Sequence, residues 1–225
     1  FYLSDDSNNM LTNFENGTWQ LIDDVPTNEI ATLKKDYANE FVIAGQIGTY
    51  YVCWNVNEDL LPGSDLTGVE KEKAQQEIRN AIALLFDRNY IVNDVAQGGQ
   101  LPASSFVAMG MTDADGSEFY KNAGSSDAFD GYYDVAAVED NFNAAVETLK
   151  KYYTFDEATG KFTAAPAGGA MEWEVIIPAD GVGDHPSYGI LTETKNALQE
   201  MGLDLIINDP SNSNELWDAL DAGNA

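Results

Sequence analysis

One cysteine, Cys53, and one histidine, His185, are the residues of this chain most able to form a nucleophile and its base. A thiol attacks only when a base within hydrogen-bond reach takes its proton. His185 is the single candidate, and it stands in a loop beside Pro186, with no serine, cysteine or metal-ligating cluster near it in sequence. It reads as a turn residue, and Cys53 as a small buried or cleft-lining thiol. Paired carboxylates are a second chemistry, since two carboxyl groups about 5–10 Å apart can divide acid and base work in glycoside hydrolysis. Asp5-Asp6 and Asp23-Asp24 are the candidates, but 38 Asp and Glu residues make adjacent pairs common by chance. The run Asp113-Ala114-Asp115-Gly116-Ser117-Glu118 contains a fragment of a calcium loop. It lacks the third acidic position and the distal glutamate, so it reads as an acidic turn. Gly160-Lys161 lacks the glycine spacing of a phosphate loop. No metal, cofactor or catalytic residue is assigned on these grounds.

Composition narrows the remaining classes. The net charge is −27, with 11 Lys and Arg against 38 Asp and Glu. Nucleic-acid backbones and anionic membranes both attract basic surfaces, so neither fits as a partner. Acidity of this size reads as solubility in an exposed setting. At 44% apolar and 22% charged residues the chain is globular rather than disordered. Its 225 residues are enough for one large domain or two small ones. A single cysteine excludes an intrachain disulfide. No apolar run of about 20 residues is present to form a membrane-spanning helix. The chain opens on Phe1-Tyr2-Leu3 and closes on Asp221-Ala222-Gly223-Asn224-Ala225, and it reads as an excised piece of a longer protein, without signal peptide or lipid-anchored cysteine.

The element expected to organise the site is Gly48 to Asn57. Aromatic and β-branched residues dominate it and turn formers bound it, which predicts a strand. Strand side chains alternate between faces. Tyr50, Val52 and Trp54 would then share an apolar face beneath a helix. Thr49, Tyr51, Cys53 and Asn55 would share a mixed face suited to a cleft wall.

Around it, short strands are expected at 1–3, 19–24 and 41–43. Helices are expected from Ser7 to Asn16 and from Thr27 to Tyr37. After a loop over 58–69, apolar residues Ile78, Ala81, Ile82, Leu85 and Phe86 recur at helical spacing and predict a helix reaching Arg88. A second short helix covers 90–96, and Gly98-Gly99 ends it. Residues 101–134 form a long, weakly periodic loop. Val138 to about Tyr153 is helical, 155–162 is a hairpin-like turn, and 164–170 is a linker. Strands at 171–177 and 203–207 flank a helix from about Ser187 to Met201, which predicts parallel strands joined by a right-handed crossover. A last helix begins at Leu216. The loop 178–186 lies where ligands sit in α/β sheets.

Several of these segments carry a pattern. Thr49-Tyr50-Tyr51 with Asn55, then Arg79-x-Ala81 and Asp87-Arg88, Ile91-Val92, and Gly99-x-Leu101-Pro102-Ala103 occur in order. Phe14-Glu15-Asn16-Gly17, Val25-Pro26 and Leu33-Lys34-Lys35 precede them. This succession, over roughly residues 10–107, resembles the oligopeptide-binding proteins of ABC importers, the solute-binding family 5 group. The resemblance implies an α/β lobe of the type II periplasmic-binding-protein kind, with a mixed β-sheet flanked by helices. Residues 1–225 would form one such lobe, the second, with an N-terminal lobe and a C-terminal return segment outside it. It implies an extracellular protein, lipid-anchored or periplasmic at full length. The partners implied are a peptide ligand and membrane permease subunits, the protein itself being a monomer that binds without chemistry. Sheet-edge backbone pairs with an extended peptide of any sequence, and tyrosines add rigid area with a polar tip. Carried across by position, the implied ligand contacts fall at Tyr51, Cys53, Gln46 and Ala96, and at Pro178 and Asn214. Two positions depart from the pattern: Cys53 stands where some relatives have an acid that pairs with the ligand's amino terminus, and Ala96 stands at a lysine position. Nickel complexes, heme, sugars or signalling peptides are the alternative ligands, and an acidic-pair hydrolase is the alternative from another class.

Overall fold

The computed structural model describes residues 1–225 except 5, 98, 104, 105, 109, 120–136, 167, 179–185 and 225. Asp5, His185 and most of the 178–186 loop therefore lie outside the described residues.

Helix α1 spans Ser7–Glu15. Asp6, not Ser7, caps it, with its carboxylate accepting the Asn9 N–H at 2.9 Å. An aspartate at this position satisfies a donor that the first helical turn leaves unpaired. Met10 and Leu11 are buried, and Gly17, in the left-handed region at φ 71°, ends the element. A 3-10 turn at Thr27–Glu29 then leads into α2, Ile30–Asp36. Pro26 precedes the turn and no side chain caps it.

The long helix α3 spans Gly68–Ala83, with Ala74, Gln75, Ile78, Ala81 and Ile82 on its buried side. It stops five residues short of the expected Arg88. Beyond Ala83 the backbone tightens, with the Leu85 N–H donating to the Ile82 carbonyl at 3.0 Å. Asp87 then starts a new turn, α4 (Arg88–Tyr90), by accepting the Tyr90 N–H at 2.9 Å. The apolar stripe still holds, because Leu85 is buried although it has left the helix. A π turn, Ile91–Val95, extends α4.

The second half packs against α3 to make the core. Helix α5 spans Val138–Leu149. Strands β1 (Thr154–Asp156) and β2 (Lys161–Ala164) form the expected hairpin, and β3 (Glu172–Ile176) pairs in parallel with β4 (Asp204–Asn208). Helix α6, Pro186–Glu200, connects β3 to β4 and packs on β4. Helix α7, Asn214–Ala222, closes the chain. Ile78, Ile82, Leu149, Tyr153, Phe162, Trp173, Leu198, Met201 and Leu205 belong to one buried cluster. Its aromatic part is edge-on: the Phe155 and Phe162 ring centroids lie 4.9 Å apart, and Tyr153 and Phe162 6.1 Å. Such offsets suit the ring quadrupole. Burial pushes the Tyr153 phenol up to about 12. The Met201 carbonyl accepts the Phe162 N–H at 2.8 Å, which ties the end of α6 to β2. Gly202 sits there at φ 81°, and a Cβ on it would stand 2.6 Å from the Phe162 carbonyl oxygen. The position therefore requires glycine twice over, by conformation and by space.

Strand pairing among the described residues is confined to these two small sheets, apart from a single bridge between Thr112 and Glu118. The expected mixed sheet is thus two separate pairs. Residues 1–3, 19–24, 41–43 and 48–57 form no strand. Their β-favouring composition is a preference for a pleated, half-buried surface, not for an isolated backbone. Without a second strand beside it, an extended segment has no ladder.

Candidate functional site

The run from Gln46 to Asn57 crosses the surface as irregular chain, with a bend at Ile47 and a turn at Val56-Asn57. Tyr51 is 66% exposed, and its ring meets Phe106 edge-on with centroids 5.3 Å apart. The Thr49 hydroxyl donates to the Phe106 carbonyl at 3.1 Å, so the 106 loop is held against this run by backbone and ring together. Cys53 is exposed beside them. The expected division into two faces does not occur. Tyr50 and Val52 were to lie under a helix, yet they are 68% and 49% exposed. Trp54 alone of that trio turns inward, half-buried against the core cluster. With no sheet to impose alternation, each side chain follows its own contacts.

Past Trp54 the run bends over the outward side of α3. Trp54 and Val56 face Val69, Glu72, Lys73, Gln76, Arg79 and Asn80 across an open groove of ≈ 710 Å³. The Asn55 amide donates to the Gly223 carbonyl at 3.0 Å and so ties the run to the end of α7.

The other expected contact residues are dispersed. Gln46 is exposed on the same run as Tyr51 and Cys53. Pro178 is half-buried two residues past β3, and Asn214 is exposed at the start of α7, six residues past β4. Both therefore follow the C-terminal ends of the parallel pair, the side of an α/β sheet where ligands collect. Ala96 is a correction. It is 2% exposed, at the end of the π turn, where its carbonyl accepts the Gly99 N–H at 2.8 Å. Its methyl is packed inside and offers no wall to a ligand. Phe106 went unpicked in sequence because it sits in a weakly periodic loop. Its neighbours Val107 and Ala108 are also apolar, so neither alternation nor helical spacing singles it out.

The other candidate chemistries meet their surroundings as follows. The Asp6 carboxylate is engaged as a helix cap, and Asp23 and Asp24 are exposed outside the groove. The acidic turn closes on itself: the Ser117 hydroxyl and N–H both donate to Asp115, and these bonds hold its carboxyl below the usual range. No three ligating side chains gather around a cation site among the described residues. No helix among the described residues is long and apolar enough to cross a membrane. Strong electrostatic contacts serve structure instead. Lys151 and then Tyr152 donate to Glu77, both at 2.9 Å, which lowers the Glu77 carboxyl and joins α3 to the end of α5. Desolvation, with Glu77 beside it, pushes the Tyr152 phenol up to about 12.

A search of curated proteins gives no match. Among solved structures the fold is similar to the "MppA Periplasmic Murein Tripeptide Binding Protein, Unliganded Open Form", with a TM-score of 0.56 and 17% sequence identity. The likeness covers 98% of this chain and 35% of that one, so the chain spans about a third of that structure's length. Similarity at this level shows the fold, an α/β arrangement of the type II periplasmic-binding-protein kind. The family described as "Bacterial extracellular solute-binding proteins, family 5 Middle" matches residues 1–225, and the chain belongs to that family.

Proposed function

We propose that this chain is one lobe of an extracellular solute-binding protein that captures oligopeptides for an ABC permease. Family membership and the peptide named for the structural neighbour support this reading. The observation that carries it is the exposed run holding Gln46, Tyr51 and Cys53, with the Tyr51 ring braced by Phe106. A braced phenol offers rigid apolar area at small entropic cost, and backbone that lies in no sheet beside it can pair with an extended ligand. Binding without bond chemistry is part of the proposal, and so is closure of a second lobe over the ligand by hinge motion. Pro178 and Asn214 would border the same ligand from the ends of β3 and β4. Cys53 brings no charge to a peptide's amino terminus, so main-chain pairing would outweigh end recognition.

The test is calorimetry on the complete two-lobed protein, with tri- to hexapeptides titrated against glycans, heme and nickel chelates. Peptides are expected to bind, and Tyr51→Ala to weaken them about tenfold, roughly 1.4 kcal/mol. Residues 1–225 alone, supplying one wall, should bind weakly or not at all. Tight binding of a non-peptide ligand with no peptide competition would replace the proposed ligand class.

A further inference from the structure

Met10, Leu11, Leu33 and Ala96 are buried but stand outside the main apolar cluster. The first three belong to α1 and α2. Phe14 meets Tyr37 edge-on, with centroids 5.5 Å apart, and so joins α1 to the end of α2. Residues 6–37 thus carry a small apolar set of their own, the mark of a satellite unit that can open by itself.

The joint between this unit and the rest is narrow. Among the described residues, every hydrogen bond that joins residues 6–37 to anything past Phe41 ends on Gln97. The Gln97 Oε1 accepts the Ala31 N–H at 2.9 Å, and its Nε2 donates to the Asn28 carbonyl at 2.9 Å. Lys34 Nζ donates to the Gln97 carbonyl at 3.3 Å. The Ala31 N–H is one of the donors that a first helical turn leaves over, and its acceptor comes from 66 residues away. Ile30 adds an apolar touch, since a Cβ on Gly99 would stand 3.3 Å from Ile30 Cδ1.

Gln97 itself is seated on the body of the protein. It follows the π turn, which the Ala96 N–H closes by donating to the Ile91 carbonyl at 2.8 Å. That turn lies against α6, where a Cβ on Gly189 would come within 3.0 Å of Val95 Cγ1. Gln97 is also the one non-glycine residue at positive φ among the described residues, at 47°. A side chain in the left-handed region persists only where its surroundings hold it there. Here α2 supplies the hold, because the bonds to Ala31 and Asn28 are made from this conformation. Backbone strain and clasp are coupled: when α2 leaves, the reason for the strained conformation leaves with it.

We propose that Gln97 is a latch. Closed, it fastens α1 and α2 to the π turn. Released, its backbone relaxes to negative φ, and residues 6–37 swing away as one piece while the core stays folded. The latch needs no ligand and stands apart from the peptide reading above.

The experiment is amide hydrogen exchange on the complete protein, read by mass spectrometry in peptides covering α1, α2 and β4. In the native protein α1 and α2 should open together, and more readily than β4. Gln97→Ala keeps the left-handed strain and deletes both side-chain bonds. It should lower protection in α1 and α2 by at least about tenfold, as losing two hydrogen bonds of ordinary net strength does, and leave β4 unchanged. Gln97→Gly deletes the same bonds but takes the conformation without strain, so its loss should be smaller. A residue of general structural importance would lower β4 along with α1 and α2, and that pattern overturns the latch. Unchanged protection of α2 in both variants overturns it too. So does native exchange in which α1 and α2 open only together with β4, a reading that holds even where neither variant folds.

Discussion

Two regions of this molecule have equally strong sequence patterns and opposite outcomes. Around α5, β3, α6 and β4, apolar spacing produced a packed core with Leu149 and Leu198 wholly buried. Along 41–57, an equally apolar and more aromatic run produced no regular element, and Ile47, Tyr50, Tyr51, Val52 and Val56 remain exposed. The difference lies in where hydrogen-bond partners come from. A helix satisfies its own backbone, and β3 finds β4 thirty-two residues on, across the α6 crossover. The 41–57 run must borrow a partner, and the described residues offer it none in ladder form. Exposed aromatic and aliphatic side chains are what a binding wall needs, and a core cannot supply them.

The largest test of this contrast is in the core. Leu198→Ala should cost about 2–5 kcal/mol in chemical denaturation, through lost transfer energy plus a residual cavity. A cost below about 0.5 kcal/mol would mean that the core region is no better packed than the run, since that is the surface range. Next comes Gly202→Ala, which should destabilise by about 1–3 kcal/mol, as a strained left-handed residue does. The close approach to the Phe162 carbonyl adds to this, so a neutral result would remove the α6–β2 tie from the picture.

Smaller still is the ion pair that fastens α6 to β4. Lys195 donates to Asp204 at 2.9 Å and to the Leu205 carbonyl at 2.7 Å, and Gln199 also donates to Asp204. The Lys195 ammonium, against some desolvation, holds the Asp204 carboxyl below its ordinary value. A depressed carboxylate contributes stability above its unfolded pKa, and that contribution is lost as pH falls through the lower folded value. Asp204→Asn should therefore cost roughly 0.5–1 kcal/mol near neutrality, a modest figure because solvent screens the half-exposed pair. The cost should shrink below about pH 4, where the native carboxyl also protonates. A penalty that persists unchanged into acid would assign the effect to shape rather than charge.

The smallest effect is expected in the run itself. Val52→Ser should stay within about 0.5 kcal/mol, as surface substitutions do. Cys53, the single thiol, should react with a disulfide reagent in the native state nearly as fast as in denaturant. Slow labelling, or a large Val52→Ser penalty, would show the run to be packed after all and would erase the comparison.

Residue patterns made much of this legible. The stripe through Ile78, Ile82 and Leu85 announced α3, though the backbone left the helix after Ala83, before the stripe ended. The helix expected from about Ser187 to Met201 and the hairpin-like turn expected over 155–162 both form, as α6 and as β1 with β2. Ala96 misled because position along a motif says nothing of burial. A small side chain can end a π turn inside the protein as easily as line a cleft. Arg79 was read as part of a motif, and only its surroundings showed a buried nitrogen without an acceptor.

By itself the order of residues determined the local elements and the family. Helix periodicity, caps and turns act over a few residues, and a spaced motif survives in one dimension. Tertiary structure decided which extended segments became strands, which face of α3 stayed open and which expected contact was buried. Those outcomes depend on backbone partners and neighbours far away in sequence, and a single segment does not encode them.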